Sequence, residues 1–225
     1  NGGAINISGS ALICSNSVFQ ENYCSEDGGA IYSDSTSSKN LRFFGCTFTN
    51  NVAADYGGAI SEAGGNGGDH YFSNCMFIAN HSISNQGGAM RIYNPNTLTI
   101  LDSDFIGNIG GDDGGALHIN IDETTTSLFR NTLFAGNSAF KENGTALGGA
   151  IFGIGETNEP NPSAYVFDQC TFYSNSATEV GGLYFSTHAH TWFTNCIFWG
   201  NWSSNTTDVM GFGTTNATRY SADIV

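Results

Sequence analysis

Two short motifs alternate along the chain, and this alternation restricts the possible folds more than any other feature. The first is a pair of glycines, followed in six of seven cases by Ala and a bulky apolar residue. The second is Phe-x-x-Asn, and both recur in the same order at intervals of 26 to 38 residues. The glycine pairs begin at Gly2, Gly28, Gly57, Gly87, Gly114, Gly148 and Gly181, and the motif phenylalanines are Phe19, Phe48, Phe77, Phe105, Phe134, Phe172 and Phe198.

Alignment of the repeats on the motif Phe shows further positions of constant character. The residue five places earlier is mostly aromatic, as at Phe43 and Phe72. Two places earlier stands a small residue: Ser17, Cys46, Cys75, Ser103, Thr132, Cys170 and Cys196. Three places earlier stands a residue type that favours turns and left-handed backbone: Asn16, Gly45, Asn74, Asp102, Asn131, Gln169 and Asn195.

This pattern predicts an all-β fold in which each unit contributes three short strands. One strand follows the glycine pair, a second precedes the turn position, and a third ends on the motif Phe. A unit of about 29 residues cannot bury its own apolar face, so neighbouring units must stack. Stacking in register places Phe on Phe inside the coil and Asn on Asn at a turn, about 4.8 Å apart. We therefore predict a parallel β-helix, a solenoid of about seven rungs.

The charge balance excludes some partners. Six Lys and Arg residues oppose 20 Asp and Glu, which gives a net charge of -14. Neutralising phosphates requires clustered cations, so we expect no nucleic-acid partner. No apolar run approaches the roughly 20 residues needed to span a bilayer, and we expect no membrane insertion by this segment.

The paired motifs resemble the repeat of the polymorphic outer membrane proteins (Pmp) of chlamydiae and similar β-helical surface proteins. The glycine motif with Phe-x-x-Asn carries this resemblance over residues 1 to about 210. It implies a right-handed parallel β-helix of the pectin-lyase-like type, displayed outside the cell and often adhesive or structural. The resemblance assigns no catalytic residue to this sequence, because the repeat motif is architectural. We expect residues 1–225 to be a single β-helix domain and part of a longer repeat protein.

The six cysteines fall into two groups. Four of them occupy the small column on consecutive rungs, in the pairs Cys46 with Cys75 and Cys170 with Cys196. In-register strands point their Cβ atoms the same way, so buried free thiols are favoured over disulfides. Cys14 and Cys24 lie outside this column, and we expect a local bridge between them.

Two groups of carboxylates suggest alternatives to a purely structural role. Many parallel β-helices cleave acidic polysaccharides, and here Asp104 and Asp168 are the candidate catalytic acids, with Arg130 in the column of Asp168. The simpler interpretation of Arg130 and Asp168 is a surface ion pair. Acids also precede the glycine pairs, and Asp27, Asp112 and Asp113 are candidate ligands for a structural Ca²⁺; we expect no other cofactor.

Two asparagines are the better candidates for glycosylation among the Asn-x-Ser/Thr sequons. Asn143 and Asn205 lie in longer loops. Asn80 and Asn201 belong instead to the predicted asparagine stack, so we expect their side chains to be engaged in holding the fold together.

The residues that flank the motif Phe should point outward, yet many are apolar. They predict an apolar stripe along one face, which usually marks an interaction surface. The alternative is that loops 138–147 and 153–164 fold over it. The interface candidates are Met76, Ile78, Ile106, Tyr173, Ile197 and Trp199.

Together these features predict an extracellular or cell-surface segment with a structural or adhesive role and no catalysis. Its expected partners are a second copy of the chain or a ligand on a cell surface, with glycans as a further class. The alternative is a carbohydrate-active β-helix enzyme or a glycan-binding module.

Overall fold

The computed structural model describes residues 1–35, 40–64, 67–122, 125–155, 163–186, 189–205, 210–212 and 219–221. In these residues every strand pairing is parallel, and the strands form four sheets that run along a solenoid. Two sheets have eight strands and two have seven. No helix in this part of the protein has the length and apolar character needed to cross a bilayer. The predicted all-β parallel solenoid is therefore confirmed.

Each of the first seven rungs contributes one strand to each sheet, in a fixed order, and the last strands at the C-terminal end extend only the first two sheets. The first sheet follows the glycine pairs and contains Ile5–Ser8, Ile31–Ser35, Ile60–Gly64, Met90–Tyr93, Leu117–Ile121, Ile151–Gly155, Leu183–Ser186 and Met210–Phe212. The second sheet contains Leu12–Ser15, Leu41–Phe44, Asp69–Ser73, Thr97–Leu101, Thr126–Arg130, Ala164–Asp168, His190–Thr194 and Arg219–Ser221.

The third and fourth sheets lie on either side of the motif asparagines. The third sheet contains Val18–Gln20, Thr47–Thr49, Met76–Ile78, Asp104–Ile106, Leu133–Ala135, Thr171–Tyr173 and Ile197–Trp199. The fourth sheet contains Tyr23–Cys24, Val52–Ala53, His81–Ser82, Ile109–Gly110, Ser138–Ala139, Ser176–Ala177 and Trp202–Ser203. The prediction of three strands per rung missed this fourth one, because a two-residue strand is too short to show an alternating pattern.

The core contains one continuous stack of motif phenylalanines and a second column of mostly aromatic rings, which Cys14 and Ile100 interrupt. Consecutive motif phenylalanines lie 4.7 to 5.1 Å apart between ring centroids and are within 11° of parallel. The column five residues earlier meets this stack edge to face, as where Phe43 lies 5.4 Å from Phe48 at 74°. Both arrangements suit the ring quadrupole, so the stacks add to the free energy gained from burying apolar area.

The motif asparagines form a continuous hydrogen-bonded ladder, which we call the asparagine ladder: Asn22, Asn51, Asn80, Asn108, Asn137, Asn175 and Asn201. Each Nδ2 donates to Oδ1 of the next asparagine at 2.8 to 3.0 Å. The backbone N–H donates to the same oxygen at 3.0 to 3.1 Å. From Asn51 onward, Nδ2 also donates to the motif Phe carbonyl of the preceding rung at 2.8 to 3.0 Å. Every amide hydrogen inside the ladder is thereby satisfied in a buried position.

The corner between the second and third sheets depends on two adjacent columns. The predicted turn column is left-handed on all seven rungs, with φ between 47° and 61°. The small residue that follows donates its hydroxyl or thiol hydrogen to the carbonyl two residues earlier. Ser103 Oγ does so to Leu101 at 2.7 Å and Cys75 Sγ to Ser73 at 3.4 Å. The same bond recurs on all seven rungs, so Ser, Thr and Cys are interchangeable as donors.

All six cysteines, each within the described residues, are free thiols. The expected bridge between Cys14 and Cys24 is wrong, because these residues lie on the second and fourth sheets. Cys14 is instead the neighbour of Cys46, and Cys24 of the Asn1 amino group. Burial raises the pKa of the Cys75 thiol to about 11, which keeps it protonated and unreactive at neutral pH.

Glycine is required at the two positions of each pair for different structural reasons. Gly57 has a φ of 62°, which a side chain rarely adopts. Gly58 lacks room instead, because an added Cβ would overlap the carbonyl oxygen of Gly88 on the next rung. The pair therefore marks the corner where the fourth sheet turns into the first and adjacent backbones approach most closely.

We expect Asn108→Asp to lower the free energy of unfolding by about 3 kcal/mol or more. The substitution preserves shape but removes the Nδ2 donor to Phe77 O and Asn137 Oδ1, both at 2.9 Å. It also buries a carboxylate against two oxygens. Urea unfolding measures the change. Asn195→Asp is the matched control, since Asp102 occupies the same exposed corner column, and we expect it to stay within about 0.5 kcal/mol. Equal effects of the two substitutions would contradict the role of the ladder.

We expect Gly58→Ala to destabilise the fold by about 3 kcal/mol, because the methyl group has no space to occupy. Gly107→Ala provides the comparison. Gly107 has a positive φ, of 62°, but nothing lies within 4 Å of an added Cβ. Only the left-handed backbone opposes that change, at a cost of about 1 kcal/mol. Thermal and urea denaturation should rank the two variants in this order, and the reverse order would show that conformation rather than space limits the glycine pairs.

Candidate functional site

All six predicted interface residues lie on the outer face of the third sheet. Met76, Tyr173, Ile197 and Trp199 are 39, 49, 48 and 69% exposed. Ile78 and Ile106 are half-buried. The in-register strands align one uninterrupted apolar column, which we call the outer column: Ile78, Ile106, Ala135, Tyr173 and Trp199.

The predicted stripe is less continuous than its composition suggested. Met76 and Ile197 belong to a second column, two residues earlier, in which Asp104 and Thr171 interrupt the apolar residues. Residues 138–147 do not fold over either column. They begin with a strand of the fourth sheet, and Lys141 in this loop pairs with Asp112 at 2.8 Å. Of the loop 153–164, residues 156–162 lie outside the described residues.

The fourth sheet adds exposed apolar residues that the sequence analysis missed. Tyr23, Ile109 and Trp202 are exposed, and all three occupy the same outward column. Trp202 belongs to the same rung as Trp199, on the other side of Asn201. The sequence signal for this column is an apolar residue directly after the motif asparagine. Its position on the surface could not be predicted, because the fourth strand was not recognised.

The two candidate catalytic acids are not brought together. Asp104 lies on the outer face of the third sheet, whereas Asp168 ends a strand of the second sheet. Asp168 forms an ion pair with Arg130 at 3.0 Å, on the adjacent rung as predicted. Asp104 lines a polar hollow of about 370 Å³ at the corner between the two sheets, beside Asp102 and Asn131. Partial burial raises the pKa of the Asp104 carboxyl.

The candidate calcium ligands lie at the corner that precedes the glycine pairs, where each has a protein partner. Asp27 Oδ1 accepts the Tyr56 N–H at 3.3 Å, Asp112 pairs with Lys141, and Asp113 Oδ1 accepts the Leu147 N–H at 2.9 Å. Within the described residues, no three His, Cys, Asp or Glu side chains form a group that could hold a metal ion. Calcium binding by these carboxylates stays a prediction.

Burial raises the pKa of the Asp113 carboxyl to about 6, although the bond from Leu147 opposes the shift. The unperturbed value is 3.8, so the folded state binds the proton more tightly than the unfolded chain between these two values. Folding stability therefore falls as the pH rises from about 4 to about 6, and it stays lower above that window. The charged carboxylate at neutral pH is thus a local source of instability.

We expect Asp113→Asn to stabilise the protein at pH 7.5 by about 1 kcal/mol, after allowance for solvent screening. The amide oxygen keeps the bond from Leu147 and carries no buried charge. Urea unfolding at pH 4 and pH 7.5 should show a gain only at the higher pH. Asp112→Asn, which removes the ion pair with Lys141, should bring no such gain. A gain independent of pH would contradict this account.

The glycosylation candidates are accessible where the sequence placed them. Asn143 and Asn205 are exposed, whereas Asn80 and Asn201 are buried in the asparagine ladder. Occupancy of Asn143 and Asn205 by a glycan stays a prediction.

A second hollow, of about 410 Å³, lies on the outer face of the second sheet and was not predicted. Its lining includes Arg42, Phe44, Asp69, Tyr71 and Thr99. The sequence signal for it was weak, because the residues that share this outward column differ in character from rung to rung. Only the register of the strands shows that they meet.

Part of the protein matches a known repeat family. Residues 16–34 and 45–61 match the family model of the Chlamydia polymorphic membrane protein repeat. The matched ranges include the motif phenylalanines Phe19 and Phe48 and the glycine pairs that begin at Gly28 and Gly57. No curated protein and no solved structure was found to match the sequence. The family match and the parallel solenoid agree, and the predicted resemblance to Pmp-type β-helix repeats is confirmed.

Proposed function

Because the protein is a parallel β-helix with Pmp-type repeats, we propose that it is an extracellular or cell-surface structural segment. In this role it is a stiff spacer that makes lateral protein contacts and catalyses no reaction. The similarity to the repeat of a chlamydial membrane protein supports the location. The observation that carries the proposed contact is the outer column, with Trp199 69% and Tyr173 49% exposed.

The stiffness follows from how each rung is held. Backbone bonds join adjacent rungs in all four sheets, and the asparagine ladder and stacked phenylalanines add contacts between side chains at the same spacing. Bending the axis would stretch these contacts on one side of the coil. Rigid repeat arrays of this kind suit a spacer or stalk, because they hold their ends at a fixed separation.

The outer column suits protein contact more than a small ligand. Its residues occupy five consecutive rungs, so the apolar surface is a long strip parallel to the axis of the solenoid. Exposed apolar strips of this kind bind other proteins, since burying them removes apolar area from water. We propose a second copy of the protein as the occupant, because an identical solenoid offers a strip with the same repeat spacing.

A catalytic role has weaker support. The acids that would act as a pair, Asp104 and Asp168, lie on different sheets, and Asp168 is engaged by Arg130. The net charge of -14 also disfavours an acidic polysaccharide as substrate.

Sedimentation velocity over a range of concentrations tests the lateral contact. We expect the full protein to associate as concentration rises, and the double variant Tyr173→Lys/Trp199→Lys to remain monomeric with an unchanged melting temperature. Charge on both residues prevents burial of the strip. Ser15→Lys/Thr194→Lys is the matched control, since these exposed residues end strands of the second sheet, and it should associate like the parent. A parent protein that stays monomeric throughout would contradict the proposed contact.

The cell-surface location is tested separately. Antibodies against the folded protein should stain intact cells that produce it as strongly as permeabilised cells. Staining that requires permeabilisation would contradict the proposed location. It would not bear on the proposed lateral contact.

A further inference from the structure

Most residues that line the hollow on the second sheet point outward from three adjacent strands, Leu41–Phe44, Asp69–Ser73 and Thr97–Leu101, and the buried His70 completes the lining. In the first of these strands, Leu41 and Phe43 are buried in the core, so Arg42 and Phe44 face outward. The register places Tyr71 between Arg42 on one side and Thr99 on the other.

One wall of the hollow is aromatic. The rings of Phe44 and Tyr71 lie 5.5 Å apart between centroids and are inclined at 36°. Phe44 is 39% exposed, although it belongs to a sheet whose inner face already buries Phe43. Two partly exposed rings at a concave place offer apolar area to a ligand that has a flat apolar face.

The rest of the lining is polar and close to neutral. Asp69 Oδ1 accepts the Thr97 hydroxyl at 3.0 Å, which fixes the carboxylate at the edge of the hollow. Arg42 has no ion-pair partner among the described residues. One guanidinium thus balances one carboxylate here, in a protein of net charge -14. Arginine donates, a carboxylate accepts, and Thr99 does both, which are the bonds that ligand hydroxyl groups need.

We propose that this hollow binds a sugar unit of a neutral saccharide. The C–H face of the ring packs on Phe44 and Tyr71, while the hydroxyls bond to Arg42, Asp69 and Thr99. This site does not rest on the proposed surface role, since it needs neither a location nor a second copy of the protein.

Two observations favour a neutral saccharide over other ligands. The overall charge repels a uronate or phosphate polymer, and the hollow has no excess of cations to offset it. Its volume, about 410 Å³, lies near the lower end of the range for small-molecule sites. A stable protein partner would need far more area than these three strands provide.

The polar corner hollow extends the site along the strands. Asn74 follows Tyr71 by three residues, and Asp102 follows Thr99 by three, a distance of about 10 Å in extended backbone. That hollow is lined by amides and carboxylates, among them Asn131 and Gln169, with Asn131 Nδ2 donating to Asp102 Oδ1 at 2.8 Å. A saccharide of several units that leaves the aromatic hollow in this direction meets further hydrogen-bonding groups.

Affinity electrophoresis in native gels tests the proposal, since an acidic protein migrates readily. The gels contain one neutral polysaccharide each (glucan, mannan, galactan or xylan) or polygalacturonate. We expect at least one neutral polymer to retard the full protein, and Tyr71→Ala to weaken that binding at least tenfold. Arg42→Gln, which keeps the length of the side chain, should weaken it as well. Phe140→Ala is the control and should bind normally, because it removes a ring that is 58% exposed and lies outside both the hollow and the outer column.

Several results would overturn the proposal. They are the absence of retardation by all neutral polymers, binding of polygalacturonate alone, and binding that Phe140→Ala abolishes but Tyr71→Ala and Arg42→Gln leave intact. Melting curves identify any variant that fails to fold. Saccharide binding does not require self-association. Failure of the saccharide proposal can therefore be distinguished from failure of the proposed lateral contact.

Calorimetry with the single sugar and the hexasaccharide of the retarding polymer tests the extension. We expect the hexasaccharide to bind at least tenfold more tightly and Gln169→Ala to weaken only the hexasaccharide. Equal affinities would show that the polar corner is not part of the site.

Discussion

Inside the solenoid, each asparagine of the buried ladder needs another asparagine at the same position of the next rung. The Asn80 side chain, for example, bonds to Asn108 Oδ1 above and to Phe48 O below. A register shift of one residue would leave these amide groups unpaired in the core and turn the phenylalanines outward. The ladder thus determines the register, and the register determines which side chains meet on every face.

Features that repeat on every rung were predictable from the sequence. The same local geometry recurs many times, so similar residues recur at the same position of each repeat. The stacking of Phe77 on Phe105 and the left-handed backbone at Asn74 follow from columns of like residues. The fourth sheet escaped prediction because strands such as Val52–Ala53 are shorter than one alternation. The column of Cys75 was correctly predicted to be small and inward, but its role as a hydrogen-bond donor was visible only in the structure.

The outer surface was less predictable, for a physical reason. Outward side chains are not restricted by packing, so Arg42, Tyr71 and Thr99 share a column without sharing a chemical character. Their meeting depends on tertiary register alone. Asp104 is a second example. The sequence predicted a continuous apolar stripe, but the register places Asp104 between Met76 and Leu133 and so interrupts it. The regular core therefore works as a scaffold on which each rung presents its own surface chemistry.

The asparagine ladder also gives the solenoid an electrical direction. From Asn51 onward, every Oδ1 accepts from the preceding rung, so these amide carbonyl groups all point toward the N-terminal end. Peptide dipoles that align in this way add up to a macrodipole in an α-helix, and the aligned amides of the ladder add in the same manner. The ladder has its positive pole at the C-terminal end, and a solenoid built from strands therefore carries an axial field along its core.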